Sequence, residues 1–370
     1  MSATAQHGVM NRTILGLLFL YHSFYIYAAY AVRVKRGNSD AHFYWGKTFD
    51  IHNYGWFDFF SFGSDFVLFV NYFFIKSGLP FAFGFILYGS IGFLGIVQFY
   101  RFLNLAVPDF FRIGNFDTRL LILFLPTLHF WTGSLGKEAI CFLCIATLLL
   151  KIAQRDYQNI SFITAALFLV VLRPHTALML FFSIYVCYLL WGNWNIKIKG
   201  ISLVAALLVF VGLFKMFMVL AQLQTFEWAT LMRYNRTSLL SFQDSGTYVP
   251  IAEYGYPYKL FTFYFRPLPF EIPTFFGMVL GMENLVVLLL HFLTVVLLIR
   301  YGRRVHFGML FKILLLYAIV SGILIVQRYS GFGIFARTKI MIQPFVLVAL
   351  LSVLAQFQSL FSNTGNEKTD

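Results

Sequence analysis

Three short motifs place basic residues where a helix is predicted to begin. They are Ser134 to Glu138, which contains Lys137; Arg173-Pro174-His175; and Arg337 to Lys339. The free backbone N–H groups and the dipole already make a helix start positive, so a cation there is disfavoured by roughly 0.3–1 kcal/mol. Repeating this arrangement makes sense if an anion binds between the three helix starts. The alternative is that these side chains extend to lipid headgroups.

A second motif, in the loop after the first apolar stretch, combines Asp40, His42, Tyr44 and Trp45. A carboxylate or an imidazole within hydrogen-bond reach of a hydroxyl can act as a general base. We therefore expect Asp40 or His175 to be a catalytic base. The aromatic faces that follow Asp40 suit stacking on sugar rings. The alternative is a solvated loop with aromatic side chains at the membrane interface.

A third group of arginines, Arg233, Arg236 and Arg266, lies in the long segment 222–272, and Arg328 follows the predicted span 308–327. Paired arginines bind phosphate through planar forks that lysine cannot reproduce. Arg266 and Glu271 have an alternative role as an ion pair that fixes the entry into the next span. The predicted substrate-binding residues are Lys137, Glu138, Arg173, Arg233, Arg236, Arg266, Arg328, Arg337 and Lys339, together with His42, Tyr44 and Trp45.

Glu283 lies inside an apolar stretch, where an uncompensated carboxylate costs about 2.5–3.5 kcal/mol. We expect it to face the interior of the helix bundle with Lys215 as its partner. His129 and His291 are isolated on apolar faces and are expected to be hydrogen-bonded core residues.

Metal and nucleotide chemistry have no support in the sequence. His, Cys, Asp and Glu nowhere show the spacing of a metal site. Cys141 and Cys144 form a C-x-x-C without a second pair, which favours packing inside a helix. The P-loop, dinucleotide and G-x-S-x-G patterns are absent. We expect no metal and no cofactor.

The elements that must position these residues are transmembrane helices. Of the 370 residues 59% are hydrophobic and 12% charged, more apolar surface than a soluble domain can bury. The sequence predicts an all-α, polytopic membrane protein of one domain with about ten spans. The approximate spans are 12–32, 80–100, 119–132, 138–151, 159–172, 175–191, 200–221, 273–299, 308–327 and 339–358. The net charge is +13, and the basic residues lie at span ends, where they meet lipid headgroups or a phosphate-bearing substrate. We therefore expect no nucleic acid as a partner.

Several spans are short, and polar turns at 132–137 and 173–175 divide two apolar runs. Irregular backbone at membrane depth is tolerated where protein or a water-filled cavity covers it, so these breaks indicate a cavity. Alternation of the spans places loop 33–79, with an interfacial helix at 59–74, and loop 222–272 on one face with both breaks. The opposite, cytoplasmic face then receives 1–11, 101–118, 152–158, 192–199, 300–307 and a polar tail, 359–370.

The layout resembles bacterial envelope-polysaccharide proteins, the GT-C-type glycosyltransferases and the O-antigen and exopolysaccharide polymerases. Residues 39–44, 125–131 with 136–138, 172–175 and 265–271 carry the resemblance. It implies a lipid-linked glycan donor on a polyprenyl phosphate or pyrophosphate, a glycan or lipid acceptor, and a site on the periplasmic face of the inner membrane. Ala41 follows Asp40 where the GT-C pattern has a second acidic residue, which favours the metal-free, polymerase-like branch. The alternatives are a lipid-linked glycan translocase and a structural subunit of an envelope secretion complex.

Overall fold

The computed structural model describes residues 10–107, 112–113, 116–220 and 227–366. The remaining parts of the predicted segments 1–11, 101–118, 222–272 and 359–370 lie outside the described residues. The helices are α1 Arg12–Arg36, α2 Asp40–Tyr44, α3 Ser64–Lys76, α4 Phe81–Ala106, α5 Arg119–Leu123, α6 Pro126–Thr132, α7 Lys137–Gln154, α8 Ile160–Leu172, α9 Pro174–Trp191, α10 Ile196–Leu220, α11 Trp228–Leu240, α12 Tyr256–Phe265, α13 Phe275–Tyr301, α14 Met309–Ile325, α15 Phe332–Lys339 and α16 Gln343–Asn366. An antiparallel hairpin joins β1 Arg112–Ile113 to β2 Phe116–Asp117.

Five helices in the described ranges are long and apolar enough to cross a membrane: α1, α4, α9, α13 with the turn that follows it, and α16 as far as Leu360. The all-helical prediction is confirmed, and these helices indicate a membrane protein. The predicted ten spans are not confirmed. Three further apolar stretches, Arg119–Thr132, Ile160–Leu172 and Met309–Ile325, are shorter than the ~20 residues that a span needs. A run of apolar residues indicates burial without telling whether protein or lipid covers it, and α7 is largely buried inside the protein.

Close packing of α4 fixes the position of α6 and α7. A Cβ added at Gly92 would lie 2.1 Å from the carbonyl oxygen of Thr132, and one added at Gly95 would lie 3.1 Å from the backbone nitrogen of Leu143. A larger residue at either position would push α4 away from these helices. The first turn of α7, which begins at Lys137, is therefore set against a rigid neighbour.

The two predicted breaks are present. Helix α6 ends at Thr132 and α7 begins at Lys137, while α8 ends at Leu172 and α9 begins at Pro174. Proline has no N–H and restricts the residue before it, so α8 cannot continue, and Arg173 adopts φ −145° and ψ 75°. This turn points Arg173 and the start of α9 toward the start of α7.

The third predicted helix start is wrong. Arg337 and Lys339 lie in the last turn of α15, and α16 begins later, at Gln343. Cations are favoured at the end of a helix by its dipole. The argument from unfavourable helix starts therefore holds for Lys137 and Arg173 and not for Arg337.

The two long loops contain helices. The predicted interfacial helix begins at Ser64, after Gly63 with φ +86°, and a 3-10 turn precedes it at Trp56–Phe59. The described part of loop 222–272 contains α11 and α12, and α16 extends through 359–366 where a polar tail was predicted.

Candidate functional site

A cavity of about 200 Å³ opens where the starts of α7 and α9 meet α2, α3 and α15. Six predicted site residues line it: Asp40, Tyr44, Lys137, Arg173, His175 and Arg337. Phe43, Ser64, Tyr329 and Ile334 complete the lining without having been predicted. Residues that are up to 297 positions apart in the chain therefore share one site.

Glu138 is not part of the cavity lining, but it joins two arginines that are. Its carboxylate accepts hydrogen bonds from Nη2 of Arg173 and from Nε and Nη2 of Arg337, the latter two at 2.5 and 3.1 Å. The Glu138 side chain is only 3% exposed. A carboxylate enclosed in this way orients both guanidinium groups. Glu138, itself predicted to bind substrate, thus contacts the arginines of the cavity and not its open space.

Arg337 also reaches the mouth of the cavity, where its Nη1 donates to the carboxylate of Asp40. The Asp40 side chain is 58% exposed, so this ion pair faces solvent. The guanidinium of Arg337 lies 5.9 Å from the ring centroid of Trp131, and that of Arg33 lies 5.4 Å from the same ring. Trp131 thus holds two arginines at cation-π distance.

Arg33 is a site residue that the sequence-based selection omitted. Its Nε is buried and makes no hydrogen bond within the described part of the chain, as is also true of Nε of Arg173. The sequence feature that could have identified Arg33 is its position shortly before the Asp40 motif, in the last turn of α1. Two buried guanidinium N–H groups therefore lack acceptors around this cavity.

The cavity carries an excess of positive charge. Lys137, Arg173 and Arg337 line it together with Asp40, and Arg33 and Glu138 are close enough to interact with them electrostatically, so four cations stand against two carboxylates. An anionic ligand would restore neutrality.

Lys137 lines the cavity and forms no ion pair among the described residues. Its Nζ donates to the hydroxyl oxygen of Ser64 at 3.1 Å. Burial, and then the nearby charge of Arg173, lower the pKa of Lys137. Burial also lowers the pKa of Arg337, but the carboxylates of Glu138 and Asp40 outweigh it and hold that pKa well above its ordinary value. The pKa values of these two cations are thus shifted in opposite directions.

His175 lies in the first turn of α9, exposed at the cavity. The charges of Arg173, Lys137 and Arg328 act on its ring. Within the described residues no hydrogen bond to this imidazole is formed. The structure therefore brings both predicted bases, Asp40 and His175, to one cavity.

The predicted aromatic platform does not form. Trp45 is 1% exposed, and its Nε1 donates to the carbonyl oxygen of Leu79 at 3.1 Å, so it belongs to the core. His42 forms a hydrogen bond with the Ser39 hydroxyl and packs against Phe81. Tyr44 alone of the three lines the cavity, and it is also buried. A run of aromatic residues after a span gave no information about which rings face solvent.

Four predicted arginines lie away from the cavity lining. Arg233 and Arg236 are exposed on α11, and Arg328 lies over the ring of Tyr234 at 5.0 Å. Arg266 forms the alternative ion pair, with its Nε 2.8 Å from Oε1 of Glu271. That alternative is confirmed.

Lys339 belongs to a separate buried cluster. Its Nζ donates to Oδ1 of Asn284 at 2.8 Å. The neighbouring Glu283 accepts hydrogen bonds from the backbone N–H of Thr127, at 2.9 Å, and from its hydroxyl. Lys215 is exposed, so the predicted Glu283 to Lys215 pair is wrong. Hydrogen bonds from the start of α6 stabilise this carboxylate in the bundle interior.

The cysteines and His129 are buried as the sequence indicated, whereas His291 is half-buried; Nδ1 of His129 also lies 3.1 Å from Nδ1 of His22. Cys141, Cys144 and Cys187 are free and buried, and His129 and His291 form hydrogen bonds with backbone carbonyl oxygens at 2.7 and 2.8 Å. Among the described residues no group of three or more His, Cys, Asp or Glu side chains could hold a metal ion. A metal-free and cofactor-free site stays a prediction.

Comparisons with protein families, curated proteins and solved structures found no match for this chain. The described residues form an all-helical membrane protein with a cationic cavity at the starts of α7 and α9.

Proposed function

We propose that the protein is a membrane glycosyltransferase or polysaccharide polymerase that binds the phosphate of a polyprenyl-linked sugar donor in this cavity. One observation carries the proposal: four cations and two carboxylates lie at this cavity, and the buried Nε atoms of two of its arginines, Arg33 and Arg173, lack acceptors within the described residues. Phosphate and pyrophosphate supply several acceptor oxygens with negative charge, and arginine binds them through paired N–H groups. The membrane context supports a lipid carrier for the sugar.

The same cations would lower the barrier to transfer. The acceptor hydroxyl oxygen attacks the anomeric carbon, the bond from that carbon to the phosphate oxygen breaks, and the lipid phosphate leaves with the electron pair. Lys137, Arg173 and Arg337 stabilise the charge that grows on this leaving group. Glu138 keeps the two arginines oriented before the reaction, so little reorganisation is needed.

A base must take the proton of the acceptor hydroxyl. His175 is the stronger candidate, because it is exposed at the cavity and its ring makes no hydrogen bond within the described residues. The carboxylate of Asp40 is held by Arg337. Donor phosphate and Asp40 would compete for Arg337, so donor binding would release Asp40 toward the acceptor.

The orientation in the membrane is part of the proposal. We place the cavity on the periplasmic face of a bacterial inner membrane, where polyprenyl-linked glycans would meet it. Asp40, which lies in loop 33–79, and Arg173 line the same cavity, which supports placing both on one face of the membrane.

The test is product formation by the purified protein in detergent. Lipid-linked glycans extracted from the source cells would be supplied as donor and acceptor, and new glycosidic bonds would be detected by mass spectrometry. We expect longer glycans with wild-type protein and little product with Lys137→Met. If no bond forms while the protein moves the same lipids across reconstituted vesicles, the transferase proposal is wrong and a translocase replaces it.

A further inference from the structure

A larger cavity, of about 610 Å³, lies at the opposite ends of the helices that carry the cationic site. It is enclosed by the ends of α4, α7 and α9 and by the first turn of α14. Helix α9, whose two ends line the two cavities, is long and apolar enough to cross a membrane, and its 18 residues correspond to about 27 Å of length. The hydrocarbon core of a bilayer is ~30 Å thick. The two cavities therefore lie near opposite surfaces of the membrane.

The walls of this second cavity divide into an apolar part and an aromatic part. Leu105, Ile152 and Ile313 form apolar wall. On the other side the ring of Tyr188 stacks on Trp194, with centroids 6.0 Å apart and planes at 15°. The hydroxyls of Tyr188 and Tyr157 are 2.6 Å apart. Rings with polar tips beside apolar surface are typical of the level at which lipid headgroups meet acyl chains.

The charge at this cavity is positive. Arg155 ends α7 in the left-handed conformation, with φ +59°, and it is exposed in the cavity lining. Lys312 lies 4.7 Å from the ring centroid of Trp191, another lining residue. The neighbouring carboxylate, Asp156, is bound by Lys151 at 2.7 Å. Arg155 and Lys312 therefore keep their positive charge uncompensated by Asp156.

We propose that this cavity binds one anionic glycerophospholipid from the surrounding leaflet. The phosphate of the headgroup contacts Arg155, and an acyl chain lies along Leu105, Ile152 and Ile313. Basic pockets between helices at one membrane surface bind acidic lipid headgroups in this manner. A volume of 610 Å³ falls within the ~300–1,000 Å³ of pockets that enclose small ligands. The proposal is independent of any transferase activity at the other end of α7.

The test uses delipidated full-length protein in detergent, with binding measured by native mass spectrometry and by thermal unfolding. The three probes are phosphatidylglycerol, zwitterionic phosphatidylcholine and inorganic phosphate. We expect phosphatidylglycerol alone to bind as a single retained adduct and to raise Tm. Arg155→Gln should weaken that binding about fivefold, since a basic residue near an anionic lipid contributes ~1 kcal/mol. Ala153→Phe should also weaken it by filling the cavity.

Arg303→Gln is the matched control. Arg303 is an exposed arginine in the turn that precedes α14, and it does not line the cavity. We expect it to leave phosphatidylglycerol binding at the wild-type level. Equal binding of phosphatidylcholine would overturn the anionic assignment, and an equal response to inorganic phosphate would overturn the lipid. Wild-type phosphatidylglycerol affinity in Arg155→Gln would place the lipid elsewhere, even if Ala153→Phe failed to fold.

Discussion

Arg337 uses opposite sides of one guanidinium to contact two carboxylates: its Nε donates to the buried Glu138 at 2.5 Å, and its Nη1 donates to the exposed Asp40. Glu138 shares the same oxygen with Arg173. Helices α7, α9 and α15 and the short helix that begins at Asp40 are thereby joined through one ion network. The buried part of this network, at Glu138, fixes the orientation of the two arginines. The exposed part, at Asp40, is a contact that a ligand can displace.

Replacing the buried carboxylate should destabilise the protein far more than replacing the exposed one. Glu138→Gln leaves the buried Arg173 without its counter-charge and Arg337 with Asp40 as its remaining carboxylate partner, and breaking a buried ion pair costs about 3–5 kcal/mol. Asp40→Asn removes a solvent-exposed partner of the same arginine and should cost less than about 1 kcal/mol. Thermal unfolding in detergent compares the two variants. Equal losses of stability would show that Glu138 does not organise the site.

Lys137→Met should weaken binding of a polyprenyl phosphate roughly 10- to 100-fold, the effect of losing one hydrogen bond to a charged group. Because Nζ of Lys137 contacts a serine hydroxyl and not a buried carboxylate, stability should change little. Lys47→Met, at an exposed lysine that does not line the cavity, is the control. Binding is measured by native mass spectrometry with a short-chain polyprenyl phosphate. Unchanged affinity in Lys137→Met would contradict phosphate binding at this position.

The affinity for that phosphate should also fall at high pH because of Lys137. Its ordinary pKa is 10.5 and burial lowers it, so the ammonium form is lost at a lower pH than usual. Binding requires the ammonium form and therefore weakens as pH rises through the lowered pKa. Lys137→Arg should keep its charge and remove this decline. The same decline in the arginine variant would assign the pH dependence to another group.

His175→Ala should reduce glycosidic bond formation by about 10²- to 10⁴-fold without weakening donor binding, as expected for loss of a general base. Asp40→Asn is the matched variant, because it keeps shape and removes the charge. Rates in detergent are compared with donor affinity for each protein. A larger loss of rate in Asp40→Asn would assign the base to Asp40.

Cysteines placed at Asp40 and Arg236 should react with an impermeant thiol reagent in intact spheroplasts, whereas one at Arg303 should be protected. All three positions are exposed in the structure, and the native cysteines are buried and give little background. Labelling at position 303 with protection of the other two would invert the proposed orientation.

The sequence located the helix breaks better than the helix ends. Pro174 marks the start of α9 because proline has a direct backbone effect. The boundary between α15 and α16 falls at the apolar residues 340–342, and the sequence signal for it is Pro344, the second residue of α16. The prediction rested on the basic residues and not on this proline, and it placed Arg337 at a helix start instead of a helix end.

Partners that are far apart in the chain could not be predicted from local sequence patterns. Glu138 is bound by arginines 35 and 199 residues away, and no local spacing encodes such pairs. Trp45 had the composition of a binding platform, but packing against the start of α4 buried it. Span alternation did bring Asp40, Lys137 and Arg173 to one end of the bundle, because topology constrains which loops can meet.

The cationic cavity, at about 200 Å³, is smaller than the ~300–1,000 Å³ of pockets that enclose a whole small ligand. Under the proposed function it would hold the linkage between lipid and sugar, while most of a growing glycan would extend into solvent. If so, the cavity would enclose too little of the product to determine its length. Product length would then be set by kinetic competition between another round of addition and release of the chain, so changing the ratio of donor to acceptor would shift the whole size distribution.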